Sequence, residues 1–308
     1  MRQPIWIDCD PGVDDALALL MAHRLDTLKI TGISTLSGNV ALEKTTRNAL
    51  ALCDLMGASY PVYRGADAPL RRPRHDASRF HGAEGLGEAS LPAPARTAEA
   101  EAAWDAIYRA AQAHAGKLEI AALGPLTNLA TAFVKYPKLS ELVRRIVIMG
   151  GAAVGGNRTP CAEFNIYADP DAAQIVFTSG IPIVMCGLDV TEKAYLTPEE
   201  IESAASGSTS VGEFIRNSTR TAMRLNMQAG AGGLCVHDAC PLLYLVRPDL
   251  FEGEDAGVYV ETRGTITLGK TVTDLYSDFQ FEKKNAFVVQ NLDRTAFAQI
   301  LTDALRSY

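Results

Sequence analysis

Hydrophobic residues along this chain fall into short dense runs, separated by longer stretches where they recur every three or four positions. The runs at 5–7, 30–36, 118–123, 146–149 and 183–186 read as strands of the kind buried on both faces of a sheet. Between them, residues 14–24, 41–56, 98–115, 126–136 and 170–177 carry helical spacing. Strand alternating with helix predicts an α/β fold, a mostly parallel open sheet with helices on both faces and right-handed crossovers. The last third changes rhythm. Helices over 198–204, 211–227 and 239–246 precede strand-like runs at 256–262, 265–268 and 286–289, and a helix over 294–306 closes the chain. The stretch 63–97 is irregular, with arginines, prolines and Gly82, Gly85 and Gly87. A loop that long inside a compact domain is usually functional. Nothing has the composition of a linker or repeat, so residues 1–308 are expected to form a single domain.

Composition narrows the functional classes. At 308 residues and 47% hydrophobic, the chain can bury a large core. A net charge of −7 argues against a nucleic-acid or anionic-membrane partner, which would require a basic face. No apolar run approaches the ~20 residues needed to span a bilayer. The start, Met1-Arg2-Gln3-Pro4, lacks the pattern of a signal peptide, so a cytoplasmic location is expected. The cysteines, Cys9, Cys53, Cys161, Cys186, Cys235 and Cys240, are scattered and read as reduced thiols. Zinc on Cys235, His237 and Cys240 would match no common zinc module.

Directly after the first strand comes Asp8-Cys9-Asp10-Pro11-Gly12-Val13-Asp14-Asp15. Asp14 or Asp15 alone would need no special account, since acids are favoured at a helix start. Asp8 and Asp10 at the mouth of an apolar strand do need one. Strand alternation puts them on the same side. Carboxylates packed this closely repel unless a cation or protons intervene. With oxygen ligands and no histidine among them, the pattern favours a hard ion, Ca²⁺ or Mg²⁺.

In an open parallel sheet, sites form outside the carboxyl ends of the strands. The segments after the later strands are polar or glycine-rich: Ser37-Gly38-Asn39, Gly124-Pro125-Leu126-Thr127-Asn128, Gly150-Gly151, and Gly155 through Asn165. Asn157, Glu163 and Asn165 offer donors and acceptors suited to sugar hydroxyls. Neither a phosphate loop nor a dinucleotide fingerprint is present. His237-Asp238 precedes a helix and His81 lies in the long irregular segment. Either histidine alone could be an ordinary surface residue.

Taken together, these blocks resemble the inosine-uridine preferring nucleoside hydrolase family. The most specific part is Asp8 to Ala16, which matches the D-x-D-P-G-x-D-D signature. The likeness continues in order through Gly38-Asn39, Gly124 to Asn128, Met149-Gly150-Gly151, Ala162-Glu163-Phe164-Asn165 and Val236-His237-Asp238. The resemblance implies calcium-dependent hydrolysis of the N-glycosidic bond of ribonucleosides, giving ribose and free base. It implies Ca²⁺ on Asp10, Asp15, Asp238 and the Leu123 carbonyl. Asp14, Asn39 and Asn165 would grip the 2′- and 3′-hydroxyls, Asn157 and Glu163 the 5′-hydroxyl, and Met149 would line the ribose pocket. A metal-bound water would attack with Asp10 as general base, and His237 would be the acid for the leaving base, with His81 a second active-site histidine. A homodimer or homotetramer is also implied. In one respect the chain departs: where some relatives carry a tyrosine it has Leu225 and Ala229, which leaves purine or pyrimidine preference open. Two rivals share part of the pattern. A haloacid dehalogenase-like phosphohydrolase would want a downstream lysine for phosphate, and an idle nucleoside-binding protein would want a broken acidic set.

Overall fold

Alternate residues of the first strand divide between two cores. Ile5, Ile7 and Cys9 join one cluster and Trp6 the other. The same division holds in the central strands, where Ile146 and Ile148 face away from Val147 and Ile183 and Met185 away from Val184 and Cys186. A strand buried on both sides needs apolar residues at every position, which is why these strands read as continuous hydrophobic runs. In the computed structural model, which describes residues 2–207, 209–276, 281 and 283–308, the strands are β1 (Gln3–Cys9), β2 (Leu28–Thr35), β3 (Val62–Arg64), β4 (Leu118–Ala122), β5 (Val143–Met149), β6 (Ile183–Cys186), β7 (Tyr195–Leu196), β8 (Leu234–Cys235), β9 (Phe251–Val260), β10 (Thr271–Asp274) and β11 (Ala286–Leu292).

Nine of them form one sheet in the order β10-β9-β11-β6-β5-β4-β1-β2-β3, with β7 and β8 paired separately. All neighbours from β3 to β11 are parallel, and β9 alone runs against its partners. One face is covered by helices Val13–Arg24, Leu42–Met56, Pro198–Ala204, Ser210–Gln228, Ala239–Val246 and Arg294–Arg306. The other is covered by Ala103–Ala113, Thr127–Lys135 and Pro170–Phe177. This is the expected α/β architecture. No helix among the described residues is long and apolar enough to cross a membrane.

The chain lays β1, β2 and β3 outward in one direction, then returns to place β4 on the other flank of β1. Strand order therefore reverses between β1 and β4, the point at which open α/β sheets form their crevice. The Leu123 backbone N–H donates to the Asp8 carbonyl (2.7 Å) and ties the two strand ends together.

Three sequence expectations need correction. Residues 265–268 are not a strand. They lie in the turn-rich connection between β9 and β10, where Glu261 accepts from the N–H groups of Arg263 and Gly264 (2.7 and 3.0 Å) and folds the chain back. On its outer edge β9 pairs antiparallel with β10, Val272 opposite Tyr259. The helix expected over 98–115 begins only at Ala103, because Glu99 stays extended in a parallel bridge with Tyr63. The irregular stretch 63–97 contains the end of edge strand β3 and the one-turn helix Ser78–His81.

Candidate active site

β1 ends at Cys9, and Asp10 comes next at the rim. Pro11 and Gly12 turn the chain into helix Val13–Arg24, whose first turn carries Asp14 and Asp15. Asp238 arrives from a different direction, as the residue preceding helix Ala239–Val246. Asp14, Asp15 and Asp238 present carboxylate oxygens all within 4.8 Å of one another, and all three are buried. Asp15 is held by the N–H groups of Asp10 (3.2 Å) and Gly12 (2.9 Å) and by Asn39 Nδ2 (3.1 Å).

Asp10 lies beside this trio, clamped between two glycines. A Cβ at Gly38 would collide with its Oδ2 and one at Gly124 with its Oδ1. Oδ2 accepts the Asn39 N–H (2.6 Å), whereas Oδ1 is buried without a hydrogen-bond partner. Among the described residues, the only basic side chain within 4.0 Å of these four carboxylates is His81, 3.9 Å from Asp14. Burial and mutual repulsion drive the carboxyl groups upward: Asp14 to about 8, with Asp10 and Asp238 well above the carboxylate range. Burial is also the first cause for Asp15, whose pKa is raised. Buried acids with no cationic partner among the described residues and with an orphaned oxygen fit a hard divalent cation, which would supply the missing positive charge.

Asp8 does not share this cluster. Its side chain accepts from Ser34 Oγ and from Asn128 Nδ2 (2.8 Å), and burial raises it to about 7. Sequence alternation suggests that Asp8 and Asp10 act from one side. β1 ends between them, so Asp8 remains under the sheet rim, tying β2, through Ser34, to the segment after β4, through Asn128.

The cluster opens on a cavity of ≈ 930 Å³ lined by Asp14, Asn39, His81, Leu123, Met149, Asn157, Glu163, Asn165, His237 and Asp238, among others. Glu163 caps helix Phe164–Ala168, accepting from the N–H groups of Gly151 (3.0 Å), Asn165 (2.8 Å) and Ile166 (3.1 Å). Burial nevertheless brings it up to about 7. Asn165 Nδ2 donates to the carbonyls of Leu123 (2.8 Å) and Met149 (3.1 Å). Asn157 lies at the mouth, its Oδ1 accepting from the Phe164 N–H (2.9 Å).

Both histidines flank this cavity. His81 Nδ1 accepts the Val13 N–H (3.1 Å), and His237 Nδ1 lies 2.9 Å from Thr191 Oγ1. Burial pushes His81 down to about 3, with the neighbouring His237 adding to it, and pushes His237 down to about 4. Both rings are therefore uncharged at neutral pH.

Comparison with known proteins identifies the family. Residues 5–299 match the profile of the inosine-uridine preferring nucleoside hydrolases. The chain belongs to that family. It is 39% identical over 311 residues to the pyrimidine-specific ribonucleoside hydrolases RihA of Shewanella baltica and Escherichia coli. Those alignments cover 100% of this chain and 98% and 100% of the relatives. Among solved structures, a purine-preferring ribonucleoside hydrolase from Gardnerella vaginalis superposes with a TM-score of 0.93 at 31% identity, covering 99% of this chain and 98% of its own. A plant nucleoside hydrolase gives 0.94 at 31% identity, with both chains covered completely.

Leu225 and Ala229 also line the cavity. Beside them are residues that no sequence motif marks: Glu192, Asn226 and Cys235, together with Asp76, Arg79 and Phe80 from the long irregular segment. Thr191, behind His237, is equally unmarked. Its only sequence signal is position, a few residues past the end of a rim strand.

Proposed function

We propose that this nucleoside hydrolase acts on ribonucleosides with Ca²⁺ as its metal. The observation that carries the reading is the buried carboxylate set with no cationic partner among the described residues, opening on a cavity whose lining includes the amides of Asn39, Asn157 and Asn165. Asp10, Asp15, Asp238 and the Leu123 carbonyl would hold the ion, and the orphaned oxygen of Asp10 supports its inclusion. When bound, calcium supplies Lewis acidity toward water and a counter-charge for the ribose diol. Asp14, Asn39 and Asn165 grip the 2′- and 3′-hydroxyls, Asn157 and Glu163 take the 5′-hydroxyl, and Met149 packs against the sugar. Asp10 accepts the proton of the attacking water. His237 donates a hydrogen bond to the departing base and His81 completes that wall of the cavity.

The anomeric carbon passes through an oxocarbenium-like state, as in glycoside hydrolysis. The carboxylates around the sugar favour that developing positive charge. Pyrimidine ribonucleosides are the first substrates to test, because the 39%-identical relatives carry that specificity in their names. The continuous sheet supports a single domain over 1–308, and the reading includes action in the cytoplasm as a homodimer or homotetramer. The deciding experiment is release of free base from uridine and inosine, with and without a calcium chelator. Full activity after chelation removes the metal assignment, and no release from any nucleoside removes the substrate.

A further inference from the structure

Thr191 ends the short helix Leu188–Thr191, which lies just past the rim end of β6. Its side chain is fully buried, and Oγ1 lies 2.9 Å from His237 Nδ1. Among the described residues, Oγ1 makes no other hydrogen bond. A buried hydroxyl proton left without an acceptor is costly, so the hydroxyl donates and Nδ1 accepts. The ring proton of a neutral His237 then sits on Nε2, the nitrogen left to the cavity.

We propose that Thr191 is a positioning residue that fixes His237 in the Nε2–H tautomer, so that the ring meets the departing base as a neutral hydrogen-bond donor. The inference rests on reading the cavity as a nucleoside site and specifies how His237 works there. The neighbouring ring is fixed in the same sense by another device. His81 Nδ1 accepts the Val13 N–H, which leaves its proton on Nε2 as well. Two rings on one cavity, both with Nδ1 turned into the protein, make a wall of donors.

A base leaving as an anion carries its charge on a carbonyl oxygen or ring nitrogen, each an acceptor for such a donor. A neutral imidazole can stabilise developing negative charge by hydrogen bonding without giving its proton away. The C–N bond breaks with its electron pair going to the base, and the base takes a proton afterwards from water. The proton that the attacking water gives up to Asp10 balances that uptake. Net consumption is one water per nucleoside.

The test uses the full chain labelled with ¹⁵N-histidine, together with Thr191→Val and Thr191→Ser. Wild type and Thr191→Ser should show His237 with a bare Nδ1 and a protonated Nε2 at neutral pH. Thr191→Val keeps the shape, loses the donor, and should shift the ring toward the Nδ1–H form. The rate on uridine relative to a nitrophenyl riboside, whose leaving group needs no donor, should fall about 5-fold or more in Thr191→Val, the worth of one buried hydrogen bond. Thr191→Ser should restore that ratio. A wild-type ring protonated on Nδ1, or on both nitrogens, overturns the proposal. So does a Thr191→Val protein with an unchanged tautomer and ratio. If wild type releases no base at all, the nucleoside reading fails, while the ¹⁵N spectra still decide the role of Thr191.

Discussion

Asn165 Nδ2 lies 2.8 Å from the Leu123 carbonyl oxygen and 3.1 Å from that of Met149. One amide thus fastens the carboxyl ends of β4 and β5, and it holds the carbonyl expected to face the metal. Asn165→Asp is nearly isosteric but sets a carboxylate oxygen against two carbonyl oxygens. The variant should lose ~1–3 kcal/mol of stability and bind calcium more weakly. Thermal melts and calcium titration of the two proteins check this. An unchanged melt with unchanged calcium affinity would show that the contact is incidental.

Ribose recognition gives a second expectation. Asp14 and Asn39 line the cavity together with Asp238, and both are buried. A substrate without its 2′-hydroxyl leaves these polar groups without a partner, a penalty that can reach ~10⁴-fold in sites built to bind a hydroxyl. 2′-Deoxyuridine should therefore react far more slowly than uridine, with the difference in kcat/KM. Comparable rates on the two would contradict the assigned ribose subsite.

Much of this site is legible in the sequence. Asp10, Asp14, Asp15, Asn39, Glu163, Asn165 and His237-Asp238 converge on one rim, and the first four come shortly after β1 or β2, strands whose apolar runs mark their ends. Local alternation misleads at Asp8. A strand's period holds only while the strand lasts, and β1 stops at Cys9. It also misleads at 265–268, where alternating threonine and aliphatic residues look like a strand while Glu261 and the glycines make a turn. Thr191 and Asn226 are invisible for another reason. Each acts through a partner distant in sequence, Thr191 through His237 and Asn226 through the Cys235 N–H (2.8 Å), and no short pattern announces such pairs.

His237 shares a peptide bond with Asp238, so removing its ring tests base departure without removing a metal ligand. His237→Ala should cut kcat on uridine by ~10²–10³, the range for loss of one well-placed donor. It should fall much less on a nitrophenyl riboside, and calcium affinity should hold. Steady-state kinetics on both substrates, with a calcium titration beside them, separates the outcomes. Equal losses on both substrates would make His237 a structural residue rather than a donor.

Calcium and protons should compete for the carboxylate cluster, and the sign of that competition can be worked out. Asp14 is raised to about 8, and Asp10 and Asp238 stand well above the carboxylate range, chiefly through burial. An unfolded aspartate titrates near ~3.9. Between these limits the folded, metal-free protein binds more protons than the unfolded chain, so its stability falls as pH rises through the window. With chelator present, the melting temperature should be higher near pH 5.5 than near pH 8.5. Calcium replaces the protons and contributes about 2.7 kcal/mol at a hundredfold excess over its Kd. Its stabilising effect should accordingly be small at pH 5.5, where protons already occupy the carboxylates, and grow steadily toward pH 8.5. Differential scanning fluorimetry at matched ionic strength measures both trends. A calcium-induced shift that stays constant across this range, or shrinks as pH rises, would place the ion somewhere other than among Asp10, Asp15 and Asp238.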